Sequence, residues 1–63
     1  MRCYLMRGGH IFAVEELPAD LSDYEAIEKA MATFRQRGDQ VDGIELWDRS
    51  RFIMRHPPDP PDG

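Results

Sequence analysis

One segment of this chain repeats its apolar residues at helical spacing, and it lies in the middle. Tyr24, Ile27, Ala30, Met31 and Phe34 recur at steps of three and four, which draws one stripe along a helix. Ser22 and Glu25 stand in front of it as an S-x-x-E capping box, each able to satisfy the other's free backbone N–H. Leu21 precedes the cap, where it can brace the first turn. Asp23 and Glu25 suit the positive end of the helix dipole, and Arg35 and Arg37 the negative end. Glu25 and Lys29 form an i,i+4 pair in the favourable order. Gly38 then offers a residue free to turn left-handed. The spacing predicts a helix over 23–37, about 22 Å long at 1.5 Å per residue.

In 63 residues, a single central helix leaves both flanks to be explained. Residues 2–7 and 10–16 are short runs joined by Gly8-Gly9, which can supply the two positive φ angles of a type I′ hairpin turn. That turn pairs Arg7 with His10, Met6 with Ile11, Leu5 with Phe12, Tyr4 with Ala13 and Cys3 with Val14. Pro18 lacks an N–H for a ladder, so the second strand stops near Leu17. Residues 44–48 and 51–55 read as a second hairpin. With Arg49-Ser50 as its loop, Trp47 faces Phe52, Leu46 faces Ile53 and Glu45 faces Met54. The reading is an α+β fold of ββαββ order, two hairpins forming a four-stranded, mainly antiparallel sheet with one helix packed on a face. Strand orders 2-1-3-4 and 1-2-4-3 both keep every neighbour antiparallel. The domain spans 1–55. Residues 56–63 hold four prolines and nothing apolar to bury, and read as a disordered, extended tail.

These pairings place Cys3, Leu5, Phe12 and Val14 on one face of the first hairpin and Tyr4, Met6, Ile11 and Ala13 on the other. In the second, Ile44, Leu46 and Ile53 oppose Trp47, Phe52 and Met54. The expected core is Leu5, Phe12, Val14, Ile27, Met31, Phe34 and Leu46, with Trp47 and Phe52 either in it or at the interface. An antiparallel sheet with one wet face alternates apolar with polar residues; this one does not. One helix covers one face, so the other presents large side chains that mark an interaction site. A two-fold homodimer is the simplest occupant; the alternatives are an unidentified protein partner, the tail or the 38–43 loop folded over that face, or a twist that mixes the faces. The candidate interaction residues are Trp47, Phe52 and Met54, with Arg49 and Arg51 at the hairpin tip.

Charge narrows the function. Twelve acidic residues against eight basic ones give a formal charge of −4, which disfavours general binding to nucleic acid, where affinity comes largely from phosphate neutralisation. Residues 15–28 carry acids and no base, whereas 49–55 carry Arg49, Arg51 and Arg55 and no acid. No apolar run approaches the roughly 20 residues of a membrane span. The single cysteine, Cys3, permits no internal disulfide and fits a reducing cytoplasm.

Catalytic and metal chemistry find little support. Gly8-Gly9 lacks the lysine and following helix of a phosphate loop. Cys3 and His10 are about 14 Å apart along the ladder, too far to share a metal at roughly 2.0–2.3 Å bonds. Ser22 is used as a cap, Ser50 has no histidine near it, and Glu15 and Glu16 point to opposite sides of a strand. The expectation is a non-enzyme without a cofactor.

Three segments resemble a group of short bacterial proteins of unknown function: Arg7-Gly8-Gly9-His10-Ile11, Asp23-Tyr24-Glu25-Ala26-Ile27-Glu28-Lys29-Ala30, and Gly43-Ile44-Glu45-Leu46-Trp47-Asp48-Arg49-Ser50-Arg51-Phe52-Ile53. The resemblance covers most of residues 3–55 and implies the ββαββ order and no activity. Arg49 stands where that group carries a glycine after Trp-Asp. The helix alone is similar to that of HicB-type antitoxins, which implies an alternative: an antitoxin-like or nucleic-acid-associated regulator using the basic tip.

Overall fold

The computed structural model describes residues 1–58. Two strands, β1 (Arg2–Arg7) and β2 (His10–Glu16), precede the helix α1 (Asp23–Gln36), and two more, β3 (Gly43–Asp48) and β4 (Arg51–His56), follow it. The four strands form one antiparallel sheet in the order β2-β1-β3-β4. This is the ββαββ fold expected from the patterning, in the first of the two strand orders that patterning permits.

Local chemistry explains the element ends. Gly8 and Gly9 take φ of 59° and 82°, as a tight hairpin loop requires. The capping box is complete: Ser22 Oγ accepts from the Glu25 N–H at 3.1 Å, and Glu25 Oε1 accepts from the Ser22 N–H at 3.0 Å. The helix ends differently from expectation. Arg37 is the C-cap, and its carbonyl accepts from the N–H groups of Gln40 and Val41. That turn satisfies the terminal carbonyl, so Gly38 has no positive φ to adopt. The loop then returns to the sheet: Asp42 N–H donates to Met6 O at 2.7 Å, and Asp42 Oδ2 accepts from Gly8 N–H at 2.7 Å.

The core is Cys3 and Leu5 of β1, Ile44 and Leu46 of β3, Ala26 and Ala30 of α1, and Val41 of the loop. Of the seven expected core residues, Leu5 and Leu46 are in it, Ile27, Met31 and Phe34 pack against it partly buried, and Phe12 and Val14 do neither. Phe12 is 45% exposed and Val14 is 49% exposed. The reason is a register shift. Met6 pairs with Ile11 but Leu5 pairs with Ala13, so Phe12 is left without a partner. Each later residue of β2 therefore exchanges faces, because side chains alternate along a strand. Ala13 and Glu15 take the helix side, and Val14 takes the other.

The second hairpin repeats this. Trp47 pairs with Phe52, but Leu46 pairs with Met54, leaving Ile53 unpartnered. Met54 thus lies on the helix side, packed against the core, not beside Trp47 and Phe52. His56, assigned by sequence to the tail, closes β4 opposite Ile44. Its ring meets Phe34 edge-on at 5.0 Å. The rest of the expected tail, 59–63, lies outside the described residues.

The helix is rotated from its expected setting. Ala26 and Ala30 contact the sheet, with Ile27, Met31 and Phe34 partly buried beside them. Tyr24 is about 200° around the helix from Ala26 and is 68% exposed. Alanines let the helix axis approach the sheet closely, so burial follows the small residues and not the largest ones.

Candidate interaction surface

Residues opposite one another in a ladder share a face. Tyr4 lies between Cys3 and Leu5, both buried under the helix, so Tyr4 points to the opposite side of the sheet. The pairings then lay out that side in rows across β2, β1, β3 and β4. One row is Glu16, Arg2, Trp47 and Phe52; the next is Val14, Tyr4, Glu45 and Arg55; the last is Ile11, Met6 and Gly43. Among the described residues, no helix or further strand stacks on this side. The helix packs on the other, with its contacts concentrated on β3 and β4.

The two halves of this open face differ in chemistry. On the β3–β4 half, Trp47 meets Phe52 edge-on at 5.3 Å. Trp47 Nε1 donates to Glu45 Oε1 at 3.1 Å, and Arg55 Nε donates to Glu45 Oε2 at 2.9 Å. The Glu45 carboxylate is thereby occupied from two directions. On the β2–β1 half, Ile11 and Val14 are exposed, with Met6 and Tyr4 half-buried beside them. Its charges sit at one end, where Arg2 Nε lies 3.4 Å from Glu16 Oε1.

The hairpin tip is less free than its sequence suggests. Arg51 donates to both carboxylate oxygens of Asp23 and to Asp48 Oδ2. Asp23 holds its carboxyl below the ordinary range because of that hydrogen-bonded guanidinium. Arg49 is exposed with φ 58°. It lines a shallow cavity of about 420 Å³ with Arg2, Tyr4 and Glu16. A second, of about 340 Å³, is lined by Met6, Gly43, Glu45, Arg55 and Pro57.

Of the five residues singled out by sequence, the structure brings Trp47 and Phe52 together and separates Met54 from them. It ties Arg51 to the helix and leaves Arg49 at the surface. Val14 was missed as a surface residue, since only the unpartnered Phe12 moves it there. Cys3, His10 and His56 lie apart: one buried under the helix, one at the first hairpin turn, one against Phe34. Burial, helped by the Glu15 charge, pushes the Cys3 thiol up to about 11, so it is a neutral, unreactive group at neutral pH. Among the described residues, no helix is long and apolar enough to cross a membrane, and no three His, Cys, Asp or Glu side chains are grouped to hold a metal ion.

The class defined by this geometry is an α+β domain with a half-covered antiparallel sheet. No family model, curated protein or solved structure matches the chain.

Proposed function

We propose that this chain is a non-catalytic protein-interaction module that self-associates through its sheet. The observation that supports the reading is the open face. Ile11 at 57%, Val14 at 49% and Phe52 at 48% exposure stand on it with Tyr4, Met6 and Trp47. Large apolar side chains gathered on one side of a small domain mark an association surface. Its formal charges occur as neighbouring opposites, Arg2 with Glu16 and Arg55 with Glu45, so a second copy meets no net repulsion there. Light scattering over a concentration series tests it. Twice the mass of one chain at micromolar concentration is the expected result, and a single-chain mass at high micromolar concentration discards the reading.

The alternative, a nucleic-acid-associated regulator acting through the tip, has less behind it. Arg51 already serves Asp23 and Asp48, and the chain is acidic. Filter retention of RNA or DNA that is abolished by Arg49→Glu would favour it.

A further inference from the structure

The two edges of the sheet are unlike. The β4 edge carries Arg51 and Arg55 and runs straight into Pro57 and Pro58. Arginines and prolines at an edge discourage another strand from adding to it. The β2 edge has neither a proline nor a Lys or Arg between His10 and Glu16. It also holds three of the chain's most exposed large apolar residues, Ile11, Phe12 and Val14. Among the described residues β2 ends the sheet, so the outward N–H and C=O groups of its backbone have no neighbouring strand there.

The shift at Phe12 decides how a second strand could add. His10, Ala13 and Glu15 pair with Arg7, Leu5 and Cys3, so they lie on the helix side; Ile11, Val14 and Glu16 pair with Met6, Tyr4 and Arg2, so they lie on the open side. Opposed residues in a ladder must share a side. For two antiparallel copies of β2, pairing His10 with Glu15, Ile11 with Val14 and Phe12 with Ala13 satisfies this at every position outside the shift. Sliding by one residue in either direction opposes Ile11 to Glu15 or to Ala13, which lie on the other side.

We infer that two copies of this chain join antiparallel along β2 about a two-fold axis, with Ile11 of each opposite Val14 of the other and His10 of each opposite Glu15 of the other. The inference rests on the self-association proposed above and specifies its geometry. The charges agree with it. Histidine has an N–H donor in either charge state, and each His10 then meets a carboxylate. The apolar pairs agree too, since Ile11 and Val14 of both copies form one strip continuous with Tyr4 and Met6. The product is a single eight-stranded sheet with both helices on one side, within the size range of open sheets.

The test takes the full chain in two stages. A single-chain mass by light scattering overturns the self-association and this geometry together. If the chain is dimeric, Val14→Arg and Ile11→Arg are expected to raise the dimer dissociation constant about tenfold or more, while Tyr24→Arg, on the exposed side of the helix, leaves it unchanged. Both positions are exposed, and unchanged circular dichroism confirms that the fold survives. Dissociation by Phe52→Arg alone overturns the β2 interface but keeps self-association. The register is read in a Cys3→Ala background. An oxidised mixture of Ile11→Cys and Val14→Cys chains forms the mixed disulfide, whereas each alone has its cysteines about 10 Å apart. Equal cross-linking of either chain alone overturns the register.

Discussion

The Arg51 guanidinium grips the Asp23 carboxylate with two parallel hydrogen bonds, Nη1 to Oδ2 at 3.0 Å and Nη2 to Oδ1 at 2.9 Å. It joins the tip of the second hairpin to the first turn of the helix, 28 residues away in sequence. Bidentate geometry distinguishes this pair from ordinary surface ion pairs.

A double-mutant cycle should detect that coupling. Arg51→Ala and Asp23→Asn each lower stability, and the double variant loses less than the sum of the two. The pair also has a pH signature. The folded carboxyl titrates below its ordinary 3.8, so its contribution is complete above that value and is lost as pH falls through the lower folded one. Chemical denaturation between pH 5 and 2 should show a shallower acid loss for Arg51→Ala than for the parent.

Arg49 occupies φ 58°, a conformation that costs a side-chain-bearing residue about 1–2 kcal/mol. Arg49→Gly removes that cost but gives the unfolded chain more conformational freedom to lose on folding. A net gain of about 1 kcal/mol in urea denaturation is expected. A loss of stability would mean that the Arg49 side chain itself holds the tip.

Gly43 faces the opposite constraint. A Cβ there would lie 2.8 Å from the His56 carbonyl oxygen and 3.2 Å from Pro57 Cδ. Backbone must move to admit it, so Gly43→Ala should cost roughly 1–3 kcal/mol. Equilibrium denaturation measures this directly, and an unchanged midpoint would show that the β3–β4 ladder yields without cost.

Cys3 supplies an alkaline signature. Its folded thiol is pushed from 9.0 to about 11, first by burial and then by Glu15. Between these values the unfolded chain releases a proton that the folded chain keeps, so stability falls as pH rises from 9 to 11. Cys3→Ala should flatten that part of the profile. The native thiol should also resist aromatic disulfide reagents at pH 8 and react once denatured.

Much of this fold is legible in the residues because its devices are local. The capping box needs Ser22 and Glu25 three positions apart, and the first hairpin turn needs two residues tolerant of positive φ. Both lie within a few residues of sequence, and the structure forms both where the sequence places them. The order of elements follows, since one helix between two hairpins leaves few ways to keep neighbouring strands antiparallel.

The faces were not legible in the same way. A ladder shift leaves one residue without a partner, and that depends on the fit between two strands under a helix. Nothing local to Phe12 or Ile53 marks either as the residue left out. Yet each shift exchanges the faces of the residues beyond it, which carries Val14 out of the expected core and Met54 into it. The helix setting is decided likewise: the sheet accepts Ala26 and Ala30 at close approach, and Tyr24 turns to the surface. The sequence by itself determined which elements form and where the first hairpin turns and the helix begins, because turns and caps are short-range hydrogen-bonding problems. Tertiary structure alone decided which side chains remain outside, because strand register and helix rotation are settled by packing between distant segments.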